Sequence, residues 1–316
     1  MLFKQIQLFQ LTDALSYTPD ELAEKLAPLA FTSCLPSFAS SIGWVSPFID
    51  EDMGPLVHAL NGYMLLCLQI EEKILPATVI RQELNDKVKD IEARDARKVR
   101  QKEKLSLKDE ITMTLLPRAF TKFTRVYAYI DTKNQWLVLG TTSANKTEQF
   151  MSLFKKSISE NVHPFELKKL SPLITHWVKT QNYPSLFSIE KACVLQDPNQ
   201  QTRIIRCQHQ DLSANSVQAF IKEGCEIKQL ALCWHDRVNF VLAEDFSLRS
   251  IKFQDEVLAA ANEIDAETQR QQFDADFFIA TETLTGLLKD LLDYFIHSEG
   301  SSPRLEKKSK EEVALA

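Results

Sequence analysis

The sequence predicts an α+β fold: two sheet-and-helix domains, a helical hairpin inserted as a tip into the first, and an antiparallel meander in the second. Three observations predict it. Residues 63–75, YMLLCLQIEEKIL, have the pattern of one long strand, apolar at first and then alternating. After Pro76 the apolar spacing lengthens to three and four residues, at Ile80, Leu84, Val88 and Ile91, which is a single helical stripe. In the second half, IKQLALCW, RVNFVLAE and LRSIKFQ follow one another closely, with His235-Asp236 and Asp245-Phe246-Ser247 as the turns between strands.

Each element can be justified in order. MLFKQIQLFQL alternates apolar and polar residues and reads as a strand rather than a secretory leader. PDELAEKLAPLA opens with proline and two acids, which suit a helix N-terminus. The stripe that starts after Pro76 fades past Ile91, and Val99 is the one large apolar group in the next eleven residues. A helix from residue 77 to about 102 would be roughly 40 Å long at ~1.5 Å per residue, with a far half that has little to pack against. SLKD (106–109) has the spacing of a weak capping box and is read as the start of a return helix that Pro117 stops. RVYAYIDT and QWLVLGTT return the chain to the sheet, and a helix follows at 144–158. Beyond 165 the pattern gives strands at SIEKACVLQ and RIIRCQHQ, a helix at SANSVQAFIKEG, the meander, and a helical stretch over about 256–295. The expected organisation is therefore a central domain of residues 1–76 plus 119–165, a helical tip at 77–118, a base domain at 166–297 and a polar, disordered tail at 298–316.

Composition excludes several classes. The seven glycines are scattered singly, so neither a dinucleotide fingerprint nor a phosphate-binding loop is present. No apolar run approaches the ~18 residues that cross a bilayer, and a cytoplasmic protein is expected. The six cysteines show no CxxC spacing and lie mostly in strand-like runs, as buried free thiols do. The six histidines show no metal-ligand spacing, and the four tryptophans sit in or beside apolar runs, where core packing is the expectation. Asp274 and Asp276 in FDADF, with Glu282, could suggest a nuclease's metal ligands. Their place before an apolar helical run instead suggests helix-terminal caps and dipole partners.

The charge is unevenly placed. Residues 76–125 hold thirteen Lys or Arg against eight Asp or Glu, a net of +5; the rest, 24 basic and 35 acidic residues, carries −11. Within the tip, RDARKVRQKEK (94–104) has six basic and two acidic side chains. Arg94, Arg97, Lys98 and Lys102 would share a face of the projecting helix, with Arg100 and Lys104 beside it. Such segregation suits a polyanion partner, and phosphate contacts of this kind carry no sequence information.

At IEEKILP (70–76), SLKDE (106–110), LLPRAF (115–120) and RQQFDADF (270–277), supported by FTSC (31–34) and GWVSP (43–47), the chain resembles the RdgC family of proteobacterial recombination-associated proteins. The resemblance runs from the first strand to about residue 295. It implies a DNA-binding protein without enzymatic activity or cofactor, similar in architecture to a ring-shaped homodimer whose hole admits duplex DNA. It also implies a nucleoid-associated role in recombination and fork repair, limiting the access of a RecA-type recombinase to DNA. Duplex DNA bound without sequence preference is the implied partner, with single-stranded DNA as a further ligand. The basic positions that match are Arg97, Lys98, Arg100, Lys104, Lys108 and Arg118, and in the second half Arg206, Arg249 and Lys252. Phe120 is the candidate hydrophobic contact between protomers, against the alternative that it packs under its own hairpin. RCQHQDL (206–212) departs from the family, offering Cys207, Gln208 and His209 where basic residues are the pattern. A weaker grip by the base domain is expected from that change. The competing reading is a protein-interaction scaffold whose hairpin docks an acidic partner and never meets DNA.

Overall fold

The structure is a computed structural model and describes residues 3–13, 15–48, 54–158, 161–165, 167, 170–262 and 268–298. The expected tail beyond Ser298 lies outside the described residues. In chain order the strands and helices are β1 (Gln7–Leu11), α1 (Pro19–Leu26), β2 (Ser40–Val45), β3 (Val57–Leu60), β4 (Tyr63–Ile74), α2 (Ala77–Asp95), α3 (Gln101–Leu115), β5 (Phe120–Asp131), β6 (Trp136–Leu139), α4 (Ala144–Ser157), β7 (Val162–Pro164), α5 (Leu170–Thr180), β8 (Phe187–Gln196), β9 (Ile204–Gln208), α6 (Asn215–Lys222), β10 (Glu226–Trp234), β11 (Val238–Ala243), β12 (Leu248–Phe253), α7 (Asp255–Asn262) and α8 (Gln269–Ser298). They form two antiparallel sheets with helices, the α+β class read from the sequence. The chain divides into two compact units, Gln10–His163 and Met1–Phe9 with Pro164–Ala316. The sequence reading drew the first domain from residue 1, whereas this division starts the unit at Gln10.

The first sheet has the order β2-β4-β5-β6-β1-β7, with β3 also on β4. β4 is its spine. All twelve of its residues pair with β5, from Tyr63 opposite Asp131 to Ile74 opposite Phe120. β2 and β3 share its other edge. Leu65, Leu66, Cys67 and Leu68 are fully buried, which explains why the run is apolar without alternation: both faces are covered there. Towards Ile74 the strand leaves the core, and the alternation begins. α4 lies against Trp44, whose indole meets the Phe150 ring edge-on at 5.3 Å and donates to Ser157 Oγ at 2.8 Å. Gly43 beside it has no alternative, since a Cβ there would lie 2.3 Å from the Phe31 Cα. α1 is capped by a reciprocal pair in which Thr18 Oγ1 accepts from the Glu21 N–H and Glu21 accepts from the Thr18 N–H.

The hairpin α2–α3 is inserted between β4 and β5. It differs from the expectation in one respect that moves the charged residues. The outgoing helix ends at Asp95 rather than near 102, because Ala96 adopts a left-handed conformation (φ 48°). The return helix starts at Gln101, so SLKD lies inside it and caps nothing. Leu116, Pro117 and Arg118 form a 3-10 turn that ends α3 and delivers the chain to β5, as the proline suggested.

In the other unit the sheet order is β12-β11-β10-β8-β9. The meander turns where expected, with His235 and Asp236 both at positive φ (50° and 55°), the geometry that two-residue hairpins favour. α8 covers one face of this sheet. Leu284, Leu287, Leu288, Leu291 and Phe295 are buried, Gly286 makes room for Trp234, and the Trp234 indole donates to Asp290 Oδ2 at 2.9 Å. Residues preceding β1 run beside β12: Ile6 and Leu248 exchange backbone bonds of 2.8 and 3.0 Å, and the Ile251 N–H reaches the Lys4 carbonyl at 2.8 Å. The helical C-terminal stretch is made of α7 and α8. Asp274 and Asp276 fall in the second turn of α8, so they are not its caps; Thr268 is, in a reciprocal pair with Gln271. All four tryptophans are buried, and so are five of the six cysteines, Cys34 being half-buried.

Candidate nucleic-acid interface

The turn that joins α2 to α3 carries much of the positive charge, and its own side chains build it. Arg97 lays its guanidinium against Glu103, donating at 2.8 Å and 2.7 Å, and reaches Asp95 at 3.6 Å. This fork geometry fixes the turn as well as neutralising it. Glu92 accepts from the Val99 N–H at 3.0 Å, and Val99 turns its side chain into the only buried site of the turn among the described residues. That bond, with Lys98 and Lys104 nearby, holds the Glu92 carboxyl below the usual carboxylate value. Arg97 holds the Glu103 carboxyl low, and Arg94 does the same for Asp95. Arg97, Lys98 and Arg100 thus sit in the turn, not on one helix face. Lys98 is 95% exposed, with Glu92 at 3.7 Å. Arg100, Lys104, Lys108 and Arg118 make no ion pair among the described residues. Lys104 and Lys108 are one turn apart on α3.

The three basic candidates of the second unit sit on one face of the five-stranded sheet, at its two edges. Leu248, Leu242, Leu230, Cys193 and Cys207 stand opposite one another across the five strands; three of them are fully buried, and this is the covered side. Neighbours in sequence point the other way. On that open side Arg206 stands beside Val194 and Gln229, and Arg249 beside Val241 and Ala231. Arg249 and Lys252 are three residues apart, which in a regular strand would put them on opposite faces. A bulge with Ser250 at φ 51° restores them to the same side, Lys252 standing opposite Asn239. Four strand spacings, roughly 19 Å, separate the Arg206 edge from the Arg249 edge. Arg249 is tethered by Asp245 at 3.2 Å and by Ser247; Arg206 and Lys252 have no ion pair among the described residues. Cys207 points to the covered side, Gln208 shares the Arg206 face, and His209 occupies a left-handed turn residue (φ 54°).

Phe120, the first residue of β5, is 83% exposed and stands opposite Ile74, itself 48% exposed. It does not pack under its own hairpin. Met113 on α3 is 75% exposed, so the inserted hairpin also shows apolar surface. Among the described residues no group of three or more His, Cys, Asp or Glu side chains could hold a metal ion.

These features define a class: a two-sheet α+β protein, acidic in the main, with a cation-rich inserted helical hairpin and three further basic candidates on one open sheet face. The family model described as "Putative exonuclease, RdgC" matches residues 1–298. Proteins called recombination-associated protein RdgC from Yersinia pestis (strain Pestoides F), Yersinia pseudotuberculosis (serotype O:1b) and Yersinia enterocolitica (serotype O:8) are each 36% identical over 293 residues, covering 92% of this chain and 96% of theirs. The chain belongs to the RdgC family.

Proposed function

We propose that this protein binds duplex DNA without regard to sequence, as a homodimer that closes around it, and so limits the access of a RecA-type recombinase during recombination. The observation that carries the reading is the separation of +5 on residues 76–125 from −11 elsewhere. A uniformly acidic surface would repel DNA; a segregated one attracts it at one place and keeps the outside repulsive. Lys98, Arg100, Lys104, Lys108 and Arg118 supply the phosphate contacts of the hairpin, with Arg206, Arg249 and Lys252 as a second set. Arg97 contributes its charge while holding the turn in shape. Association with the nucleoid follows from the same contacts. Single-stranded DNA, with the same phosphates, is a weaker ligand of these groups.

Counterion release gives the test. For phosphate contacts the logarithm of the affinity falls linearly with the logarithm of salt concentration, by about 0.9 per contact on duplex DNA. With full-length protein and labelled duplexes of two unrelated sequences, the expected result is one common slope, of magnitude roughly 7 where one protomer's contacts engage and up to about 14 where both do. A flat plot, or affinity for an acidic protein in place of DNA, replaces this reading with the interaction scaffold. The exonuclease wording of the family model points to a second reading, cleavage. Metal-dependent shortening of end-labelled DNA by the purified protein would establish it, and intact DNA is the outcome expected here.

A further inference from the structure

We infer that Arg81 is a further phosphate contact on the hairpin, completing a four-cation stripe of Lys98, Lys104, Lys108 and Arg81 that runs from the turn to the foot along one flank. The inference rests on the DNA-binding reading and extends it to a residue that lies thirteen positions before the basic run begins. Arg81 on α2 and Lys108 on α3 line the same hollow of about 330 Å³, whose other walls are Leu75, Ala77, Ile80 and Leu84. Both are exposed, and neither makes an ion pair among the described residues. Two like charges beside one apolar-walled hollow, with no carboxylate among its lining residues, suit an anion between them.

At about 100° per residue, Glu83, Asp86 and Asp90 lie about 140° to 180° round the helix from Arg81, with Asp86 lining a neighbouring hollow beside it. Glu92 and Asp95 fall within about 40° of Arg81 on its own flank, towards the turn, where Glu92 has Lys98 at 3.7 Å and Asp95 has Arg94 at 2.9 Å. The Lys87–Glu110 pair, 3.0 Å, bridges the two helices away from that hollow. At the other end, Lys98 and Lys104 both act on Glu92, which places them together at the turn, and Lys104 is one helical turn from Lys108. From Arg81 to Glu92 the helix rises about 17 Å, the axial length of about five phosphates along one strand. A stripe of four cations at that spacing matches a sugar-phosphate backbone.

The test compares salt slopes of duplex-DNA affinity for the full-length protein and three variants between 50 and 200 mM salt, a range over which such contacts register strongly. Arg81→Gln removes one contact from each protomer and is expected to lower the slope by about one to two and weaken binding several-fold at the lower salt. Arg81→Lys should keep the slope. Lys87→Gln removes the same charge from the other flank and should leave the slope unchanged. A slope for Arg81→Gln equal to wild type, or the same drop in Arg81→Gln and Lys87→Gln, overturns the stripe while DNA binding stands. A flat wild-type slope overturns the DNA reading itself, and Arg81 with it. Arg81 is exposed and unpaired, so an unchanged thermal midpoint accompanies each expected result.

Discussion

At the scale of single residues, burial decides the chemistry of the cysteines. Desolvation pushes the Cys67 thiol up to about 12, and burial beside Cys207 does the same for Cys193. Cys225 and Cys233 are raised as well, again chiefly by burial. The thiolate is the reactive form, so these groups are inert at neutral pH. Cys34 is the exception by position: it is half-buried in the loop before β2, where its N–H donates to Glu71 at 2.7 Å. Alkylation with a maleimide in native buffer should label one thiol per chain quickly, at Cys34. The other five should follow only on adding denaturant, and peptide mapping checks the assignment. Rapid native labelling at Cys193 or Cys207 would contradict the packing of β8 against β9. Sequence spacing gave no hint that Cys193 and Cys207 stand directly opposite one another, since thirteen residues and a strand reversal lie between them. Their burial, by contrast, was legible from the apolar runs around them.

At the scale of elements, the hairpin is where sequence reading was most and least successful. Its existence followed from the change of period after Pro76, and its closing turn from Pro117. Its apex did not follow. Ala96 carries no turn signal, and a left-handed alanine is stabilised here by contacts that span the turn: Arg97 to Glu103, and Glu92 to the Val99 N–H. Placing the apex some seven residues late shifts every cross-helix neighbour, which is why Arg81 could not be matched to Lys108 without coordinates. The same contacts give a pH prediction. Glu92, Asp95 and Glu103 all titrate below their ordinary values of 4.5, 3.8 and 4.5 because of hydrogen bonds to Val99, Arg94 and Arg97. A depressed folded-state pKa contributes order that is fully present above the unfolded value and is lost as pH falls through the folded one. Hydrogen exchange at the Val99 amide, corrected for its intrinsic rate, should therefore show constant protection from pH 7 down to about 5 and loss below about 4. Protection that rises on acidification would mean the turn is held by something other than these carboxylates.

At the scale of the whole molecule, two antiparallel sheets, the long β4–β5 pairing and the three-strand meander were readable because buried strands impose their pattern on sequence. The shared face of Arg206, Arg249 and Lys252 was not, because the bulge at Ser250 changes the parity that a two-residue period would assign. What neither the pattern nor a single chain displays is assembly, and there Phe120 gives the sharpest prediction. A phenylalanine 83% exposed, opposite a half-exposed Ile74, is an unusual use of a large apolar group in a monomer. A homodimeric contact is self-complementary, so one substitution removes the side chain from both sides of the two-fold axis at once. Phe120→Asp also sets two like charges close together across that axis. Its exposure means that no core contact is lost within the chain, so the thermal midpoint of the protomer should move little. Sedimentation at micromolar concentration should show the wild type as a dimer and Phe120→Asp shifted towards monomer. If the proposed closure around DNA depends on this contact, the variant should also leave closed circular duplex faster in a salt challenge, while its salt slope keeps the hairpin's contribution. A Phe120→Asp protein that remains a full dimer and is retained on circles like wild type would remove Phe120 from the proposed interface and leave the cations of the hairpin and of the open sheet face to account for the proposed hold on DNA.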